Sequence, residues 1–400
     1  MLTHKRYLSL LALCSLVLTM SCSAPSPELD SSPELDSQAV RNINANAETA
    51  PMLGSGDVAD DIAVWVHPDD RGRSVVLGSN KSKDGSGGLY AFRLNGQRAA
   101  GKSTWRTGRD RFDNERYNSV DLRYNFPAGS ERWDIVAASN RSDREIDLFK
   151  VRKTASGDFA GLEKVGELPL GQGLAPGSDA PYGLAMYYSR QLKRHYVFIS
   201  DKAGRVAQYR LGYNPSGSAA AENMITAQRL GLWDVSQDGS PVEGIVADDE
   251  KDLIYIASED RGIYRYKTSD GVLKKRDRVT VDAPGPRLKA DIEGLTLYYA
   301  ADGKGYLLAS SQGSDSYAVY ERRFRGDAPN AYVSSFAIGG VTNTDGIDVV
   351  SVNLGGAYRS GMFLAHDGKG NNPSNYKFVP WRDVAGSNLR IDISQNPRTP

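Results

Sequence analysis

Residues 75–81 read Val75-Val76-Leu77-Gly78-Ser79-Asn80-Lys81, and the same kind of phrase returns five more times. The copies are Ile135-Val136-Ala137-Ala138-Ser139-Asn140-Arg141, Val197-Phe198-Ile199-Ser200-Asp201-Lys202 and Ile254-Tyr255-Ile256-Ala257-Ser258-Glu259-Asp260. Two more follow, Tyr306-Leu307-Leu308-Ala309-Ser310-Ser311-Gln312 and Met362-Phe363-Leu364-Ala365-His366-Asp367-Gly368. Each joins strand-forming residues to a small residue and then a polar cluster. Counted from Lys81, equivalent positions fall at 141, 202, 260, 312 and 368, in steps of 52 to 61 residues.

Most copies run on into a second, aromatic strand, as in Gly88 to Phe92 and Gly262 to Tyr266. Most also have an earlier strand about twenty residues upstream, beginning at Asp61, Asp121, Tyr182, Glu243, Glu293 and Asp345. A unit of three or four short strands at this period is a propeller blade. Six units predict an all-β protein, one six-bladed β-propeller over residues 47–390, with a tail at 391–400. A pair of β-sandwiches is the alternative, and the regular spacing disfavours it.

Composition agrees. Among 400 residues there are 41 Gly and 21 Tyr, which suits many turns and strands. Lys plus Arg is 49 and Asp plus Glu is 49, a balance that argues against nucleic-acid binding. Two cysteines and four histidines argue against disulfide frameworks, zinc–cysteine sites and iron–sulfur clusters. No oligomerisation signal stands out, so a monomer is expected.

His4-Lys5-Arg6 followed by the apolar run Leu8 to Met20 reads as a secretory signal, residues 1–21. Cys22 after Leu18-Thr19-Met20-Ser21 resembles a lipoprotein cleavage site, which predicts a lipid tether in the cell envelope; ordinary cleavage with secretion is the alternative. The tandem hexapeptide of Ser26 to Ser37 marks residues 22–46 as a disordered spacer.

The repeat also aligns the chemistry. Lys81, Arg141 and Lys202 fall at matched positions on units one to three, and unit four carries Glu259 and Asp260 there. The starts of the earlier strands supply Asp60, Asp61, Asp121, Tyr182, Glu243, Glu293 and Asp345, with Asp291 two residues before Glu293 and so on the same strand face. One half of the channel mouth is then cationic and the other acidic. Clustered carboxylates repel unless a cation lies among them, and oxygen-only ligands favour hard ions such as calcium. Calcium with the lysines and the arginine suits a polyanion, phosphate above all, and supports metal-assisted hydrolysis. Taken singly, a basic residue at a strand end is usually a solvated rim residue, and acids after glycine-rich strands are usually turn formers; the signal lies in the register. Covalent phosphatase chemistry lacks its motifs, since His67, His195 and His366 are isolated and there is no Cys-x5-Arg loop, phosphate loop or Gly-x-Ser-x-Gly elbow.

At these residues the chain resembles the β-propeller phytases, the calcium-dependent alkaline phytases of bacteria, over about Ala47 to Val384. The resemblance is carried by Gly56 to Trp65, Asn118 to Tyr124, Ala137 to Ser142, Tyr182-Gly183-Leu184, Glu243 to Asp249, Ser258 to Asp260, Asp291 to Tyr306, Ala309 to Gly313, Thr344 to Asp348 and Val379-Pro380-Trp381. It implies hydrolysis of phytate, myo-inositol hexakisphosphate, as its calcium complex, with several calcium ions. Asp60, Glu243, Glu259, Asp291, Glu293 and Asp345 resemble acids that hold catalytic calcium. Lys81, Arg141, Tyr182 and Lys202 resemble residues that contact substrate phosphates. Asp61 and Asp121 are supporting candidates, and Glu48 and Asp367 are similar to positions near stabilising calcium.

Three places depart from the family pattern. Ile62 stands where proline is usual, Ser82 where a second lysine is usual, and the short loop Ile338 to Asn343 lacks an aspartate for one structural calcium. Ionised carboxylates imply a neutral to alkaline optimum. The competing expectations are a non-catalytic calcium propeller that captures polyanions or partners, and a lactonase on a similar propeller.

Overall fold

The computed structural model describes residues 40–99, 115–170, 174, 181–236, 238–368 and 373–398. The expected signal, Cys22 and the spacer as far as residue 39 lie outside them. The described residues form six sheets arranged as a six-bladed β-propeller. The innermost strands are Ala59–Trp65, Tyr117–Ala128, Leu184–Ser189, Val242–Asp248, Ile292–Ala300 and Ile347–Val350. Each touches the innermost strand of the next blade, and Ile347–Val350 returns to Ala59–Trp65, which closes the ring.

The ends of the chain seal the circle. Ala47–Glu48 pairs with Asn375–Pro380 as the outer strand of blade six. Arg41–Ile43 adds a parallel strand to Tyr332–Ile338 of blade five. That strand lies within the segment expected as spacer, so the chain enters the fold before residue 47. The tail is ordered by contacts too. The Asp392 N–H donates to the Tyr298 hydroxyl at 2.8 Å, and Arg398 reaches both Asp134 oxygens at 2.9 and 2.8 Å. The core consists of apolar clusters that span neighbouring sheets; Leu148, Val165, Val197 and Ile199, for example, pack together between blades two and three.

Four glycines set how tightly the ring closes. Gly183, Gly244, Gly294 and Gly346 directly follow Tyr182, Glu243, Glu293 and Asp345. A Cβ on Gly244 would overlap the Glu293 carbonyl, and one on Gly294 would sit 2.7 Å from the Asp345 carbonyl. Only glycine lets the neighbouring backbone come this close. Consecutive blades are also stitched here, since the Gly294 N–H donates to Asp345 O at 3.2 Å and the Gly346 N–H to Asp60 O at 3.1 Å.

Candidate functional site

The innermost strands begin irregularly. Their ladders shift register between Ala59 and Ile62, Tyr117 and Val120, Val242 and Ile245, and Ile292 and Leu295. Such bulges re-aim side chains. Asp60, Asn118, Glu243 and Glu293 occupy the same place within them, the second residue of each bulge. The blade-two member of the ring is therefore Asn118 rather than Asp121.

Asp121 lies on a different tier. Its oxygens accept the Leu122 N–H at 2.6 Å, the Met186 N–H at 2.8 Å and the Arg123 guanidinium at 3.0 Å. Asp61 also serves the backbone, accepting from Ile62 at 2.8 Å and from Val120 at 3.1 Å, which ties blade one to blade two. A cavity of about 460 Å³ is lined by Asp121, Arg123, Asp249, Asp348 and the tail at 394–397; of the expected site residues only Asp121 lines it.

The remaining acids gather round two centres. Ligand atoms of Glu243, Glu259 and Glu293 all lie within 4.8 Å of one another. Lys81 Nζ lies 2.6 Å from Asp60, 3.0 Å from Asp57 and 3.1 Å from Asp345. The expected division into a cationic half and an acidic half thus fails at Lys81. Asp57 and Asp60 of its own blade and Asp345, brought over by ring closure from blade six, surround this ammonium with carboxylates. Arg141 and Lys202 do form a basic side. Lys202 Nζ sits 4.3 Å from the centre of the Tyr182 ring, and the Arg141 guanidinium sits 5.6 Å from it. Asn118 joins the two sides, accepting from Arg141 at 2.6 Å and donating to Glu243 at 2.6 Å.

The strand ends refine the alignment of the repeats. Asn80, Asn140 and Ser258 pair with the first residue of their inner strands, and the Tyr182 N–H bonds Ser200 O. Lys81, Arg141 and Glu259 therefore stand one residue past the strand, and Lys202 stands two past. Asp201 takes the nearer place and caps the turn through the N–H groups of Ala203 and Arg205, each at 3.0 Å. Asp291 reaches the site by another route than strand alternation. It precedes Ile292–Ala300 in the left-handed region, φ 52°, which aspartate tolerates better than most residues.

Crowding is visible in the acidities. Burial raises Asp60 and Glu293 well above the carboxylate range, with Glu243 adding repulsion to both. Burial beside Glu243 pushes Glu259 up to about 7, and burial next to Asp260 and Glu243 raises Asp291. Asp345 is raised by burial against the pull of Lys81 and His366. Glu243 is the exception. Burial opposes its charge, but hydrogen bonds with Glu293, Tyr182 and Asp60 and the Lys81 charge hold it low. Asp57 is also opposed by burial, yet His366 and Lys81 bring it down to about 2. Burial and the glutamates raise the Tyr182 phenol far out of reach of ionisation.

Three buried carboxylate oxygens here, Asp60 Oδ2, Glu259 Oε1 and Glu293 Oε2, have no hydrogen-bond donor among the described residues. Buried acceptors normally have partners. An all-oxygen set with orphaned acceptors fits a hard cation.

Glu48 and Asp367 meet at another place, across Lys377, which pairs with Glu48 and lies 3.2 Å from Asp367. The short 338–343 loop closes onto Asp367 through the Thr342 N–H at 3.2 Å. Sequence reading missed Asp57, Asn118, Gln312 and His366. Gln312 donates to Asp345 Oδ1, and His366, far from isolated, accepts the Asp345 N–H at 3.1 Å. Gln312 sits at the end of its own repeat copy, and Asp57 falls three residues before Asp60; those were the available signals.

The sequence matches known proteins along most of its length. The family model described as Phytase matches residues 6–399. The 3-phytase of Bacillus subtilis (strain 168) is 34% identical over 372 residues, covering 89% of this chain and 88% of that protein. Among solved structures, the periplasmic gluconolactonase of Pseudomonas aeruginosa aligns with a TM-score of 0.43 at 14% identity, covering 69% of this chain and 70% of that one. With a family match across nearly its whole length and a relative of this identity and coverage, the chain belongs to the phytase family.

Proposed function

We propose that this chain releases phosphate from phytate, as the name of its 3-phytase relative indicates, and that it does so with several calcium ions held at the mouth. The observation that carries the reading is the set of orphaned buried oxygens on Asp60, Glu259 and Glu293 around the ionised Glu243. Glu243, Glu259 and Glu293 lie close enough to share one cation, Asp291 is the expected fourth ligand beside them, and Asp60 and Asp345, which meet at Lys81, are the expected ligands of a second. When bound, calcium supplies charge neutralisation at the reacting phosphate and an activated water.

The protein side chains supply placement. Lys202 and Arg141, flanking Tyr182, offer the fixed positive charge that a phosphate needs opposite the acids. Asn118 couples the position of Arg141 to that of Glu243, so phosphate and ligand geometry are set together. Lys81 balances Asp57, Asp60 and Asp345 and adds a phosphate donor at their edge. The phenol of Tyr182 stays protonated and donates. Export, with a tether at Cys22, belongs to the same proposal.

The test is phosphate release from phytate at about pH 7.5 with calcium and then with excess EDTA. Release that depends on calcium is expected. Glu243→Gln should lower activity more than about 100-fold, beyond the loss typical of a residue that only orients a ligand. No release from folded protein at any calcium level overturns the reading and leaves polyanion capture.

A further inference from the structure

His366 is the penultimate residue of Met362–Asp367, the second strand of blade six, and its side chain is fully buried. Ligand-type atoms of Asp57, Asp345 and His366 all lie within 4.8 Å of one another, a spacing that suits a metal-binding trio. The hydrogen bonding says otherwise. The Asp345 backbone N–H donates to His366 Nδ1 at 3.1 Å. A ring nitrogen that accepts carries no proton, so in the neutral imidazole the proton sits on Nε2. Nε2 faces Asp57 Oδ1 at 3.2 Å, close enough for electrostatic attraction but off the line of a hydrogen bond. A protonated Nε2 has no lone pair to give a cation. Each ring nitrogen thus lies against one of two acids, Nδ1 in a hydrogen bond and Nε2 in a close polar contact.

We propose that His366 is a positioning residue, seating the Asp345 backbone through Nδ1 and keeping its Nε2–H against the Asp57 carboxylate as a local positive edge, so that both acids stay turned to Lys81. The inference rests on the reading of Asp345 as a cation-holding acid. The surroundings are built for such a role. The Asp345 carbonyl is gripped from the other side by Ser310 Oγ at 2.7 Å and by the Gly294 N–H at 3.2 Å. His366 packs edge-on against the Tyr376 ring, 6.2 Å between centroids. The Tyr376 hydroxyl accepts the Asp60 N–H at 3.2 Å and donates toward Ser79 O at 2.8 Å. One buried pair, His366 and Tyr376, thus fixes the backbone at both Asp345 and Asp60. Without His366, the Asp345 N–H, just ahead of Ile347–Val350, loses its acceptor.

Three substitutions separate the two contacts. His366→Asn keeps an acceptor near the Nδ1 position, His366→Gln keeps a donor near the Nε2 position, and His366→Ala keeps neither. The readouts are the calcium concentration that half-completes the rise in melting temperature, measured with calcium alone, and kcat and KM for phytate taken separately. In His366→Ala the half-saturating calcium should rise about 10-fold and kcat should fall more than KM changes. His366→Asn should recover most of the calcium response, and His366→Gln less of it. Nitrogen-15 spectra of the calcium-free wild type should show a proton on Nε2 and none on Nδ1. Unchanged calcium response and kinetics in His366→Ala overturn the proposal, and so does a proton on Nδ1, which would free Nε2 as a ligand. If the variants fail to fold, the wild-type spectrum still decides. A wild type that binds calcium but releases no phosphate sinks the enzymatic reading and leaves the spectral and melting tests standing.

Discussion

Lys81 Nζ lies 2.6 Å from Asp60 Oδ1, and the Asp60 side chain is only 1% exposed. A buried carboxylate this close to an ammonium is held by it, and removing one partner strands the other. Lys81→Met should therefore lower the melting temperature without calcium and enlarge the rise that calcium produces, because the cation then replaces the missing charge. Activity should fall roughly 100-fold, the loss typical when one fixed donor is taken from a charged transition state. Melting curves and phosphate release with and without calcium check both halves. An unchanged response to calcium sinks the argument.

Gly244→Ala should destabilise the fold by about 2–3 kcal/mol, since the added carbon collides with backbone rather than a mobile side chain. The control is Gly285→Ala, where the added carbon meets only the Ala283 carbonyl at 3.7 Å; there the change should stay within about 0.5 kcal/mol. Denaturant midpoints compare the two. Equal effects would mean that ring closure does not depend on this contact.

Arg398→Ala tests the tail. The guanidinium bonds Asp134 at 2.8 and 2.9 Å, donates to Val66 O at 2.9 Å and lies 4.4 Å from the Tyr124 ring. Its loss leaves Asp134, nearly buried, with weaker partners, and should destabilise by about 1–3 kcal/mol. KM for phytate should not move, because none of these contacts involves the proposed substrate residues. A changed KM with unchanged stability would place the substrate elsewhere.

A pH dependence of stability should come from blade two. Burial, with Asp147 beside it, pushes Glu145 up from 4.5 to about 8. Between those values the folded chain holds a proton that the unfolded chain has released. Stability from this group is full below the unfolded pKa and falls as pH rises toward the folded one, then levels off. Glu145→Gln should flatten this part of the curve. Urea midpoints taken from about pH 5 to about pH 9 would show it, and an identical slope in the variant would exclude Glu145 as the source.

Much of the site was legible because the repeat carries it. Lys81, Arg141 and Glu259 follow the same strand, and Asp60, Glu243 and Glu293 open the same strand, so register alone brought them to one mouth. Asp121 was misplaced by that same logic. Counting back a fixed number of residues from Lys81 and Arg141 misses that the blade-two hairpin is longer and carries a second register shift between Arg123 and Phe126, so the count lands on Asp121 instead of Asn118. His366 looked isolated because both of its contacts, Asp57 and Asp345, are distant in the chain.

The sequence by itself determined the blade count, the strand order within each blade and the residue types at the strand ends, since these follow from local propensity and a period of 52 to 61 residues. Tertiary structure alone decided which of those residues meet. Closing the ring sets blade six against blade one, and that brings Asp345 to the Lys81 that already meets Asp57 and Asp60 within blade one and puts the N-terminal strand Ala47–Glu48 on the last sheet. The physical reason is that charge interactions depend on distance through space, and in a closed ring the two ends of the chain become neighbours.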